Sequence, residues 1–276
     1  MIQKSYDKNC LYLIPTPIGN LEDITFRAIS ILKSVDVILC EDTRESSKLL
    51  SHYNIKKKLI ACHEYNEDKL FDKVRDLLDS GKNIGLISDQ GTPIINDPGF
   101  VLSRYLIENG YNVVSLPGPT AFVPALTSSG LDPSPFLYYG FLNSKKSKRE
   151  EELKVLRNYP FSIIFYEAPH RINSMLKSIL EIFGDRKVSI SREISKKYET
   201  IYRDKISNLI DNIELKGEFV IIVEGNNEVV DYSDLDIVEH VKLYLDDLSE
   251  MDAIKRVAKE RGVSKSEIYK KYHDSK

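Results

Sequence analysis

The stretch "VSLPGPTAFVPAL", residues 114–126, ends an apolar run on Pro117, Gly118 and Pro119 and restarts as a helix at Thr120. Proline fixes φ and carries no N–H, so a strand cannot pass through this segment. A strand broken this abruptly before a helix of small residues points to something bound at that place.

Upstream of the break, strand and helix alternate. The runs 11–15, 35–42, 58–64, 83–89 and 111–116 are short and apolar. Helical patterns fill 24–34, 66–81 and 99–110, the last two closed by Gly81 and Gly110. Apolar strands separated by helices predict a mostly parallel sheet covered on both faces. Downstream, the strand-like runs 134–142, 161–168, 187–193, 199–206 and 217–225 have fewer helices between them, which predicts a second, mixed sheet. The reading is an α/β chain of two domains, 1–120 and 121–230, with a helical tail over 231–276. In the tail, Ala258, Gly262 and Ile268 stand at helix-turn-helix spacing, which two small packed helices would also produce.

With 42% hydrophobic and 29% charged residues among 276, the chain reads as a packed globular protein. No apolar run approaches the roughly 20 residues of a membrane span, and the first ten residues lack a signal-peptide core. Cys10, Cys40 and Cys62 have no CxxC spacing and read as reduced core thiols, so a cytoplasmic location is expected. The net charge of −3 hides an uneven distribution. Residues 231–250 hold seven acids and one lysine, whereas 251–276 hold eight Lys/Arg and four acids. Further basic stretches at 186–205 and 145–150 make a polyanionic partner plausible.

In an open parallel sheet, ligands gather beyond the carboxyl ends of the strands. There the sequence places "TPIGNLEDIT", "EDTR", "HEYNE", "DQGTPIINDPG" and "PGPTA". No GxGxxG follows the first strand, and no GxxxxGK[ST] or GxSxG occurs. His63, beside Cys62 and Glu64, lacks a metal-ligand spacing, and no metal is expected. The loops offer backbone amides, small side chains and carboxylates, suited to a compact polar ligand with an amine, a carboxylate and hydroxyls.

"LYLIPTPIGNLEDITFRAISILKSVDVILCEDTR", "ISDQGTPIINDPG", "LPGPTAFVPAL", "FYEAPHRI" and "GEFVIIVEG" resemble, in order, the signature blocks of the ribosomal RNA small-subunit methyltransferase I family. That family belongs to the tetrapyrrole methylases, the class III S-adenosylmethionine-dependent enzymes. The resemblance spans roughly residues 10–225, and "DAIKRVAKERGVSKSEIYK" extends it into the tail. It implies two α/β domains with S-adenosyl-L-methionine in the cleft between them, usually in a homodimer. It also implies 2′-O-methylation of a cytidine ribose in the decoding region of 16S rRNA, on the RNA or the small ribosomal subunit. By block alignment it assigns Pro17, Ile18, Asp89, Gly91, Thr92, Pro93, Thr120, Ala121, Tyr166, Glu218 and Phe219 to the cofactor. Gln90 and Thr120 stand where the family commonly has small residues.

A ribose hydroxyl needs a positioned base. Glu167 and His170, just beyond the 161–168 strand, are the catalytic candidates, and Arg44, Arg171, Lys145 and Lys146 are candidates for RNA phosphates. The alternatives are a small-molecule methylase of the same fold, such as a corrinoid methylase, and a non-catalytic RNA-binding assembly factor.

Overall fold

The computed structural model describes residues 9–226, 235–245 and 248–274. The chain divides into two compact units, Met1–Asn226 and Asn227–Lys276.

The first unit holds two five-stranded sheets. One is built from β1 (Cys10–Leu13), β2 (Val37–Cys40), β3 (Lys58–Ala61), β4 (Ile84–Ile87) and β5 (Asn112–Ser115), in the order β3-β2-β4-β1-β5. All its pairings are parallel. Because side chains alternate along a strand, a sheet covered on both faces needs apolar residues at every position. Accordingly Cys10, Tyr12 and Ile14 feed one core and Leu11 and Leu13 the other, as do Ile38 and Cys40 against Val37 and Leu39.

Helices α1 (Phe26–Ser34), α2 (Thr43–His52), α3 (Phe71–Asp79) and α4 (Phe100–Glu108) connect these strands. Thr25 caps α1 by accepting from Ala28 N. "EDTR", read from sequence as a loop, is instead the start of α2, with Asp42 as its N-cap accepting from Arg44 N at 2.8 Å. The start of α4 is met by the buried Glu67, whose two oxygens accept from Gly99 N and Leu102 N at 2.8 and 2.9 Å. A carboxylate there satisfies orphan amides and complements the helix dipole.

After α5 (Phe122–Thr127), the second sheet comprises β6 (Phe136–Phe141), β7 (Ser162–Glu167), β8 (Lys187–Arg192), β9 (Thr200–Lys205) and β10 (Phe219–Val223). Its order is β6-β7-β10-β8-β9, with β6·β7 parallel and the other pairs antiparallel, hence mixed as expected. Helices α6 (Lys146–Leu156) and α7 (Ile172–Phe183) cover one face, packing Leu153, Met175, Leu176 and Ile179 on Ile163, Phe165 and Ile221. Ala125 and Leu126 of α5 pack on the other face, against Ile164, Val220 and Ile222. The short α8 (Ile206–Leu209) follows β9.

The second unit contains α9 (Ile237–Lys242), α10 (Glu250–Glu260) and α11 (Lys265–Asp274) around Val241, Ile254, Val257, Ile268 and Tyr272. Gly262 makes the α10–α11 turn at φ +64°, a conformation that favours glycine. The fully buried His240 accepts from Arg261 Nε at Nδ1, which leaves Nε2 to donate to Glu260 Oε2, each at 3.0 Å. Among the described residues no helix is long and apolar enough to cross a membrane.

Candidate active site

A cavity of about 430 Å³ opens between the carboxyl-end edge of the parallel sheet and one edge of the mixed sheet. From the first sheet it takes Ile18 after β1, Asp89–Thr92 and Ile95–Asp97 after β4, and Thr120 and Ala121 after β5. From the second it takes Phe141, Tyr166–Pro169, Ile194 and Gly217–Val220. These come from one row of the sheet, since Phe219 pairs with Glu167 and Arg192, and Tyr166 with Phe141.

The loop after β4 is held where it passes the loop after β1. Gly91 and Thr16 exchange both backbone hydrogen bonds, at 2.9 and 3.0 Å, and Thr92 Oγ1 donates to Pro119 O at 2.9 Å. Gly91 sits at φ +78°, and a Cβ there would stand 3.3 Å from Ile18 Cγ2. These bonds bring three strand ends together. Of the cofactor residues assigned by resemblance, Ile18, Asp89, Gly91, Thr92, Thr120, Ala121, Tyr166, Glu218 and Phe219 line the cavity. Pro17 and Pro93 are buried behind the lining.

Carboxylates line both sides of the cavity, Asp89 and Asp97 beside the parallel sheet and Glu167 and Glu218 beside the mixed one. Burial first, then the charges of Glu41 and Asp89, push Asp97 up to about 7. Burial also raises Asp89, against the hydrogen bond from Asp42 N that lowers it, and Glu41 is raised by burial and by Asp89, with His63 opposing. Asp42 differs: the Arg44 guanidinium, donating at 2.8 Å, holds it down at about 2. The loops after β2 and β3 thus act from behind the lining, with Asp42 N donating to Asp89 Oδ1 at 3.2 Å. On the mixed-sheet side, burial raises the Tyr138 and Tyr166 phenols, so both keep their protons at neutral pH.

Glu167 lines the cavity and its side chain is buried. Oε1 accepts from Ala168 N at 2.8 Å and Arg171 Nε at 2.6 Å, while Oε2 has no partner. His170 lies on the exposed turn before α7 and is not part of the lining. Arg171 pairs with Glu167 and donates to Leu142 O, with its side chain still partly exposed. Arg44 is highly exposed though paired with Asp42, and Lys145 and Lys146 are exposed at the start of α6. Asn96, Asp97 and Phe141 were not singled out from sequence; "NDPG" reads as turn chemistry. Cys10, Cys40 and Cys62 are buried and form no disulfide among the described residues, and burial pushes Cys62 up to about 12. No group of His, Cys, Asp and Glu among the described residues is arranged to hold a metal ion.

The model of the tetrapyrrole (corrin/porphyrin) methylases matches residues 10–210. Ribosomal RNA small subunit methyltransferase I of Bacillus subtilis is 46% identical, over 97% of this chain and 95% of its own. The protein of that name from Escherichia coli O157:H7 is 41% identical, over 94% and 93%. Among solved structures, a cobalt precorrin-4 methyltransferase of cobalamin biosynthesis superposes with a TM-score of 0.59 at 17% identity, covering 78% of this chain and 95% of its own. A Thermus thermophilus uroporphyrin-III C-methyltransferase complexed with S-adenosylhomocysteine gives 0.57 at 17%, covering 78% and 96%. By the family match and by these near-full-length relatives, the chain belongs to the tetrapyrrole methylase family.

Proposed function

We propose that the cavity binds S-adenosylmethionine and that the protein methylates the 2′-hydroxyl of a cytidine ribose in the decoding region of 16S rRNA. The observation that carries the reading is the near-full-length similarity to ribosomal RNA small subunit methyltransferases I. The 2′-oxygen and the cytidine rest on the sequence blocks. The cavity suits the cofactor. It lies in the range of small-molecule sites, sets Asp89 and Asp97 toward a cationic ligand, and leaves at Gly91 a space that a side chain would fill.

When bound, S-adenosylmethionine supplies an electrophilic methyl group on a sulfonium. The chain must align the acceptor hydroxyl, which alone can lower a barrier by several kcal/mol, and take its proton. Asp97, held near 7, is matched to proton acceptance at neutral pH. Glu167, anchored by Arg171 through Oε1, holds the turn of Ala168 and Pro169 at the cavity wall beside the hydroxyl. Arg44, Lys145, Lys146 and the exposed lysines of α10 and α11 face RNA phosphates. A homodimer belongs to the same proposal and is checked by light scattering.

The test is mass-spectrometric mapping of ribose methylation in ribosomal RNA from cells with and without the gene. A ribose methyl on one cytidine of 16S rRNA that disappears with the gene is the expected result. An unchanged map, or transfer by the pure protein only to a tetrapyrrole, would refute the reading.

A further inference from the structure

Strand β6 carries one residue too many. Leu137 and Tyr139 pack into the core under α6 and α7, and Tyr138 points the opposite way, as alternation requires. Continued alternation would return Phe141 to that core. Instead the register against β7 shifts between Tyr138 and Gly140: Tyr138 pairs with Ile164, but Gly140 pairs with Phe165 and Phe141 with Tyr166. A bulge of this kind re-aims the side chains that follow it. Phe141 therefore lines the cavity, Leu142 enters the core, and Gly140 takes φ +82°.

The bulge is pinned from the other sheet. Asn96 accepts from the Tyr138 hydroxyl and lies where a Cβ on Gly140 would be, 2.7 Å from its Oδ1. Phe141 meets Tyr166 edge to face, with centroids 5.6 Å apart, yet remains 48% exposed. A buildable core position has thus been exchanged for a rigid, half-exposed ring. The ring stands between the loop that carries Asp97 and the strand that ends in Glu167. None of these three is among the residues assigned to the cofactor.

We propose that Phe141 is the platform on which the base of the acceptor nucleoside stacks once that nucleotide is drawn out of the RNA, with its ribose beside Asp97 and Glu167. This deepens the reading of the protein as an RNA methyltransferase and rests on it. An enzyme acting on a nucleotide within folded RNA must expose that nucleotide, and extruded or single-stranded bases are held by stacking on aromatic rings. Stacking is indifferent to the hydrogen-bonding edge, so Phe141 positions the nucleoside without selecting which base it is.

The test compares native protein with Phe141→Ala, Phe141→Leu and Phe141→Trp. Small ribosomal subunits from cells lacking the gene serve as acceptor. The readouts are cofactor affinity by calorimetry, subunit affinity without cofactor, and transfer kinetics. Phe141→Ala and Phe141→Leu should lose about tenfold or more in kcat/KM and weaken subunit binding. Phe141→Trp should stay near native, and all variants should bind S-adenosylmethionine within about twofold of it. Native kinetics in Phe141→Leu would reduce the ring to apolar filling and overturn the platform. So would a loss confined to cofactor affinity. If the native protein itself transfers no methyl to RNA, the functional reading fails and the platform with it. Equal transfer by native and Phe141→Ala proteins overturns the platform alone.

Discussion

Arg171 Nε lies 2.6 Å from Glu167 Oε1, in an ion pair whose carboxylate side chain is 1% exposed and whose second oxygen has no partner. Removing the cation leaves a buried charge uncompensated, a loss of about 3 kcal/mol or more. Arg171→Ala should therefore lower stability by that order in urea denaturation. Arg171→Lys, which keeps a cation beside Glu167, should lose less than Arg171→Ala. An equal loss in Arg171→Lys and Arg171→Ala would show that the cation contributes nothing at this site.

Asp97 makes a pH argument. Its folded value of about 7 lies above the ordinary 3.8, so ionisation is disfavoured in the native state. The resulting penalty is absent below about pH 4, grows as pH rises, and is complete above about 7. Asp97→Asn should raise the melting temperature at pH 8 and leave it unchanged at pH 4. The gain should be about 2 kcal/mol, discounted for partial exposure.

The same carboxyl bears on the ligand's charge. S-adenosylmethionine carries a sulfonium that S-adenosylhomocysteine lacks, and an ionised Asp97 favours the cation. Calorimetry from pH 6 to 8 should find the preference for S-adenosylmethionine over S-adenosylhomocysteine rising with pH. Asp97→Asn should flatten that rise. A preference that stays constant in the native protein would separate Asp97 from the sulfonium.

Gly91 is constrained by backbone and by space. At φ +78° any side chain costs about 1 kcal/mol, and a long one projects toward Ile18 and the cavity. Gly91→Arg should abolish cofactor binding while circular dichroism and cooperative unfolding persist. Undiminished affinity in that variant would mean that the ligand lies elsewhere.

Arg256 and Arg261 are engaged inside the helical unit, by Glu260, the Tyr244 ring, His240 and Leu235 O. Lys255, Lys259, Lys265 and Lys270 are exposed and form no ion pair among the described residues. A cut at residue 251 would strip α9 of its core, so the unit is best removed whole, from 227 onward. That deletion should leave S-adenosylmethionine affinity unchanged and weaken subunit binding, with a shallower salt dependence by about one unit per lost phosphate contact. Equal affinities at low and high salt would deny the unit an electrostatic role.

The parallel sheet and strands β6, β7 and β10 were legible as mostly apolar runs bounded by turns, whereas β8 and β9 carry Lys187, Arg192, Arg203, Asp204 and Lys205. Helix α2 was not, since "TRESSKLLSH" offers only Leu49 and Leu50 as an apolar face. A signal was nevertheless present: Asp42 followed by Glu45 has the spacing of an N-terminal cap with an acid three residues on. Glu67 reads as a solvated helix position, and only the fold brings α4 over it. Phe141 was unreadable for a different reason. Strand alternation predicts the wrong face for it, and the inserted residue is visible only once β7 supplies the register.

The position of β1 has a consequence for how the chain is made. β1 is the earliest strand among the described residues, yet its neighbours are β4 and β5, with Leu11 paired to Ile84 and Val113. Loop-closure entropy must be met before either pairing forms, and parallel sheets built from such distant segments assemble slowly. During translation the apolar segment around "CLYLIP" waits unpaired until β4 has left the ribosome, and keeps one open edge until β5 follows. It is in that interval, and not in the finished protein, that the chain most needs a chaperone's protection from aggregation.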